Sequence, residues 1–189
     1  IVYIPHFMSW VVAASIFSMI LSPTSAGLVN DILMKLHLIS DNIYFLGDQK
    51  WWRFSYYLIN VWKDTGWGTI IFMATLAGIS PELYEAASMD GANRFQKMIY
   101  ITLPALNNTI VTVLVLNLAK VMNLFESVFV LQNDAVIKVS DVLQTYIYTQ
   151  TFNSGAIPDY GYTTAVGMFS SIISCILVLV CNRVSHKTR

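Results

Sequence analysis

Charge is scarce in this chain. Only 12% of its 189 residues are Asp, Glu, Lys or Arg, about half of the roughly 25% usual for soluble proteins. With 56% hydrophobic side chains, that scarcity argues against a soluble globular domain. Eleven basic residues balance eleven acidic ones, so no whole-molecule field gathers a polyanion, and nucleic-acid binding drops out. Cysteine is nearly absent: Cys175 and Cys181 share one apolar run, a placement that suits small hydrophobes in a helix rather than a disulfide framework or paired metal site. His6, His37 and His186 fall in three different segments without metal-ligand spacing, so no metal is expected. Also missing are a Walker A sequence, His-Glu-x-x-His, Gly-x-Ser-x-Gly and a pair of intramembrane aspartates. These absences leave no expected P-loop ATP site and no catalytic residues, and they weigh against a membrane-embedded protease or transferase. The chain opens at Ile1 inside an apolar run, with no initiator Met, basic n-region or cleavage pattern; it reads as a fragment lacking its N-terminus.

What is present is long apolar segments. Crossing a bilayer takes about twenty predominantly apolar residues, and four stretches approach that: 1–21, 54–79, 105–131 and 160–181. The second is interrupted by Asn60, Lys63 and Asp64, the third carries Asn117, Lys120, Asn123 and Glu126, and the fourth is free of charge. The expected fold is all-α: one polytopic helical membrane domain over 1–189 with four spans. Arg183, Lys187 and Arg189 in the tail favour a cytoplasmic C-terminus. Counting back then puts 80–103, with Arg94 and Lys97, on the same side and both longer connections outside. Tyr44-Phe45, Trp51-Trp52, Tyr56 and Tyr57 cluster in the first outer connection, as an interfacial aromatic belt or a docking surface.

The segment between the second and third spans has strong local signals. Ser80 suits an N-cap and Pro81 the first helical position, and Glu82 and Glu85 are expected in the positive first turn. Gly91 should close this short helix in the left-handed conformation. Beyond it Phe95, Met98, Ile99 and Leu103 recur at helical spacing up to Pro104. Capping and periodicity therefore predict a helix, a bend and a second amphipathic helix lying along the membrane, which alone is compatible with an ordinary interfacial helix pair.

Glu85-Ala86-Ala87, three residues, Asp90-Gly91-Ala92 and then Ile101 to Leu103-Pro104 resemble the EAA loop of the inner-membrane permeases of binding-protein-dependent ABC importers. Every fixed position of that pattern is matched. Tyr3-Ile4-Pro5-His6-Phe7, Gly66-Trp67-Gly68, Asp141-Val142-Leu143 and Thr145-Tyr146 look like the oligosaccharide and polysaccharide branch of sugar permeases. The resemblance implies a transport subunit of the bacterial cytoplasmic membrane, not itself an enzyme. Its short helix would insert into a groove on a separate ATPase, so that closure of the ATPase dimer on ATP drives the membrane helices to an outward-open state. Glu85, Ala86, Ala87, Asp90, Gly91, Ala92, Leu103 and Pro104 become the ATPase-coupling residues. The implied partners are a second permease chain, two ATPase chains that carry ATP and Mg, an extracellular solute-binding protein and a carbohydrate substrate. Four spans would be the C-terminal part of a six-span subunit. A permease for a non-sugar solute is the alternative; a stand-alone channel or secondary transporter would have no use for the Glu85–Ala92 loop.

Charge within a span is costly, about 2.5 to 3.5 kcal/mol on insertion scales, so Lys120 should face a cavity or a partner. On a continuous helix Asn117, Lys120, Asn123 and Glu126 would spiral over about half the circumference, serving either the substrate pathway or helix packing. Asp64 and Lys120 lie at similar depth, roughly 15 to 17 Å from the outer span ends, and an ion pair between them is expected to compete with substrate contact by Lys120. Trp62, Trp67, Phe125 and Phe129 could stack on sugar rings or simply pack.

Overall fold

The computed structural model describes residues 2–24, 27–153 and 159–187. Ile1, Arg189 and the side chains of His186 and Lys187 lie outside the described residues, so the described part of the basic tail is Arg183. Among the described residues the fold is helical without strands. A 3-10 turn at Ile4–Phe7 leads to α1 (Trp10–Ile20), α2 (Leu28–Lys35), α3 (Gln49–Ala77), α4 (Pro81–Met89), α5 (Arg94–Lys97), a π-turn at Met98–Thr102, α6 (Leu103–Val121), α7 (Glu126–Leu131), α8 (Ile137–Ser140), α9 (Leu143–Phe152) and α10 (Tyr160–Lys187).

Two helices are long and apolar enough to cross a membrane, Arg94–Val121 and Tyr160–Arg183. Their apolar windows are 0% and 6% buried within the chain, so lipid or another chain must cover them. The expected first span contributes only the 11-residue α1, about 16 Å long at 1.5 Å per residue. α3, at 29 residues, reaches about 43 Å by the same rise but carries Lys63 and Asp64 in its middle. The expected third segment, 105–131, is not one helix. α6 stops at Val121 and α7 starts at Glu126, leaving Met122–Phe125 irregular.

The buried core sits at one end of the molecule. Ala14 of α1, Leu46, Trp52, Tyr56 and Ile59 of α3's first half, Val128 and Leu131 of α7, and Val136 form one cluster. Polar bonds between distant parts of the chain reinforce it. Trp52 Nε1 donates to the Leu131 carbonyl at 3.1 Å, the Tyr56 and Ser127 hydroxyls lie 2.9 Å apart, and Asn133 Nδ2 donates to the Leu46 carbonyl at 2.7 Å. Asn30 is fully buried. It donates to the carbonyls of Ser22 and Ile43 and accepts from the Ile43 N–H, all within 2.9 Å, so one amide side chain closes the connection between α1 and α3.

The aromatic residues of this connection divide between two environments. Phe45, Trp52 and Tyr56 are buried, whereas Tyr44, Trp51 and Tyr57 are exposed. Neighbours in a helix point about 100° apart, so Trp51 and Trp52 cannot share one environment.

Further along α3 the N-terminal segment crosses directly over Gly66, where a Cβ would overlap the Val2 carbonyl oxygen. Lys63, 6% exposed, donates from Nζ to the His6 carbonyl at 3.2 Å and stands 5.0 Å over the Trp10 ring. A buried ammonium is thereby paired with a carbonyl dipole and an aromatic face rather than a carboxylate.

Candidate functional site

The Glu85–Ala92 loop folds as its glycine and proline signals require. Ser80 has the extended backbone of an N-cap, and Pro81 begins α4. Ser80 makes no side-chain cap, however, and Glu82 is the acidic residue of the first turn; Glu85 lies one residue beyond that turn. Asp90 ends the helix and Gly91 follows at φ 76°. The Gly91 N–H donates to the Ser88 carbonyl at 3.1 Å and the Ala92 N–H to the Ala87 carbonyl at 2.9 Å, the paired bonds of a Schellman closure. An L side chain at 91 would be strained by roughly 1–2 kcal/mol, although nothing lies within 4 Å of its Cβ position.

After the bend, Asn93 and Gln96 form a reciprocal capping box that starts α5. The helix then widens. The Leu103 N–H reaches back five residues to the Met98 carbonyl, and the π-turn contains Tyr100, whose carbonyl a proline ring at 104 would strike in a tight α-turn. Pro104 therefore sits just inside α6 without breaking the continuous helix Arg94–Val121.

No residue of α4, α5 or the π-turn is buried. Leu83, Met89, Phe95, Tyr100 and Leu103 present exposed apolar side chains, and Glu85, Ala86, Asp90, Gly91 and Pro104 are also exposed, with Ala87 and Ala92 half-buried. Among the described residues the ion pair between permanently charged groups is Lys35–Asp31, and Asp64 Oδ1 also lies 3.8 Å from His6 Nδ1, a contact that is an ion pair only with His6 protonated. Glu85 and Asp90 thus form no ion pair among the described residues, and the bend is held by backbone closure and by Asn93 and Gln96 instead. The sequence pattern did not single out those two residues, nor Tyr84, Ser88 and Thr102, and it read Lys97 only as a charge favouring one side of the membrane; the side chains of these four bind α4 to the following turns. An Asn followed three residues later by Gln was the available signal for the capping box.

The second candidate region lies at the break in the expected third span. Lys120 stands in the last turn of α6 and Glu126 in the first turn of α7, so each charge has the sign that complements the dipole of its helix end. Between them Asn123 Nδ2 donates to the Ala119 carbonyl at 3.4 Å. Gln144 of α9, another residue the pattern did not single out, donates to the Met122 carbonyl at 3.2 Å and to Asn123 Oδ1 at 3.3 Å. Gln144 thereby satisfies part of the irregular backbone between α6 and α7 from another helix. Phe125 stacks on Phe129 at 5.0 Å, and Tyr148 packs against both at 5.4 and 4.9 Å.

Two expectations change here. The even spiral of Asn117, Lys120, Asn123 and Glu126 does not exist, because the break resets the helical phase between α6 and α7. The Asp64–Lys120 ion pair is not formed: Asp64 Oδ1 lies 3.8 Å from His6 Nδ1, and Lys120 is exposed without a carboxylate partner among the described residues. Trp67 stacks on His6 at 5.0 Å and on Tyr3 at 6.3 Å rather than joining Phe125, and Trp62 packs edge-on against Phe17 at 5.1 Å. Among the described residues no group of His, Cys, Asp and Glu is arranged to hold a metal.

Over residues 1–189 the chain matches the family described as the inner membrane component of binding-protein-dependent transport systems. It belongs to that family. Members are permease subunits of transporters rather than enzymes. The chain is 41% identical over 187 residues to Protein LplB of Bacillus subtilis strain 168, which covers 98% of this chain and 57% of that protein. It is 39% identical to the polygalacturonan/rhamnogalacturonan transport system permease protein YteP of the same organism, over 99% of this chain and 57% of the relative. A crystal structure of a bacterial ABC transporter that imports the acidic polysaccharide alginate superposes with TM-score 0.91 at 37% identity, covering 99% of this chain and 64% of that one. The chain therefore spans less than two thirds of the length of these relatives.

Proposed function

We propose that this permease chain forms part of the translocation pathway of an ATP-driven importer for oligosaccharides, driven by a separate ATPase that docks on the Glu85–Ala92 loop. The observation that carries the reading is the loop itself. A matched Glu-Ala-Ala and Asp-Gly-Ala pattern is folded into a short helix with a Schellman closure and no buried residue, so its exposed apolar and small residues are open to a partner surface. The carbohydrate class rests on relatives named for transport of polygalacturonan/rhamnogalacturonan and arabinooligosaccharides. It also rests on the likeness to an alginate importer solved with a pentasaccharide-bound periplasmic protein.

In this reading the chain crosses the membrane four times, with α4 and the C-terminus on the cytoplasmic side. The segments before α3 and between α7 and α9 face the solute-binding protein, a second permease chain completes the pathway, and ATP and Mg are held by two ATPase chains. Asn117, Lys120, Asn123, Phe125 and Glu126 line the pathway at the α6–α7 break, where the exposed polar side chains of Asn117, Lys120, Asn123 and Glu126 can exchange hydrogen bonds with sugar hydroxyls. Trp67 lies nearer the N-terminal segment and would meet substrate only if the pathway extends there.

Purification of the tagged full-length permease tests the reading. The expected result is recovery of an ATP-binding subunit, with ATP hydrolysis stimulated by sugar-loaded binding protein. Uptake that persists after deletion of every co-purifying ATPase would overturn it.

A further inference from the structure

Within the proposed coupling role, and resting on it, the geometry points to a polar latch that joins α4 to the π-turn: the Tyr84 hydroxyl, 2.9 Å from Thr102 Oγ1, transmits motion of the docked helix into α6. α4 is attached to the rest of the chain unevenly. On its α3 side the connection is Gly78, Ile79 and Ser80, and Ser80 contributes no side-chain cap. On its α6 side there are the Schellman bonds, the Lys97 Nζ bond to Ser88 Oγ at 2.5 Å, and the Tyr84–Thr102 bond. Among these the last reaches furthest along the chain. It ends on the residue immediately before α6, in the turn that Pro104 requires to be wide, and Thr102 Oγ1 also lies 3.4 Å from the Lys97 carbonyl.

A π-turn is a point at which a helix can change its hydrogen-bond register. Without a lateral tie, displacement of α4 would be absorbed by rewinding Met98–Thr102. With Tyr84 holding Thr102, α4, α5 and the π-turn move together, and displacement passes along the continuous helix Arg94–Val121 to its far end at the Met122–Phe125 break. Tyr84 and Thr102 are thus positioning residues for coupling, without contact to substrate or nucleotide.

The test uses the full-length permease reconstituted in proteoliposomes with its second permease chain, ATPase and sugar-loaded binding protein, and reads sugar transported per ATP hydrolysed. Tyr84→Phe and Thr102→Val should each lower that ratio by about two- to tenfold, the range to which the net worth of one hydrogen bond corresponds. The double variant should be no worse than the more impaired single variant, and Thr102→Ser should keep the wild-type ratio. A wild-type ratio in Tyr84→Phe, or losses that multiply in the double variant, would overturn the latch. Absence of any binding-protein-stimulated ATP hydrolysis in the wild-type complex would instead strike the coupling role on which the latch rests.

Discussion

The end of the molecule built from α1, the first half of α3, α7 and α8 and the end built from α4, α5 and the π-turn are stabilised by opposite means. The first buries Trp52, Tyr56, Ile59, Val128 and Leu131 together and ties residues far apart in the chain, as Trp52 is tied to Leu131. The second buries nothing, and its bonds are made within about twenty residues of sequence. A core of the first kind keeps its shape without help, whereas a locally capped element keeps its shape but not its position, which a docked partner must set. Substitutions should therefore separate into those that lower stability and those that leave the protein folded but alter its response to ATP.

The largest stability loss is expected at Trp52. Trp52→Ala removes a 3% exposed ring and leaves the Leu131 carbonyl unpaired, at a cost of about 3–5 kcal/mol; thermal unfolding of the solubilised full-length permease should show a clearly lowered midpoint. Asn30→Ala comes next. It deletes three hydrogen bonds from a fully buried side chain, at about 2–3 kcal/mol if the Ile43 N–H stays unsatisfied, and proteolysis between α1 and α3 should accelerate. Tyr56→Phe is smaller, about 1 kcal/mol, because it removes only the 2.9 Å bond to Ser127 and keeps the ring in place. A loss at Glu85→Lys as large as at Trp52→Ala would erase the contrast between the two ends, since Glu85 is exposed and has no ion-pair partner among the described residues.

The loop was the more legible of the two regions from sequence. Pro81 and Gly91 act on the backbone at their own positions, and the structure begins α4 and closes it where they stand; Pro104, expected to mark the entry to the third span, lies instead inside the continuous helix Arg94–Val121, accommodated by the π-turn before it. The α6–α7 break was illegible for the converse reason. Met122, Asn123, Leu124 and Phe125 contain no glycine or proline, and the interruption is matched by bonds from Gln144, in another helix. The same limit applied to Asp64, whose neighbour His6 arrives from a 3-10 turn more than fifty residues away. The pairing of Asp64 with Lys120 rested on depth alone, and depth does not place two side chains on facing surfaces.

The most direct measurement is the transport-to-hydrolysis ratio of the reconstituted full-length permease carrying Gly91→Pro. Proline cannot adopt the 76° φ of this position and also loses the N–H bond to the Ser88 carbonyl, while the buried cluster around Trp52 is untouched. The variant should insert at wild-type abundance and unfold at the wild-type temperature, yet transport about tenfold less sugar per ATP or lose stimulated hydrolysis altogether. Wild-type uptake with unchanged stimulation of the ATPase would contradict the account.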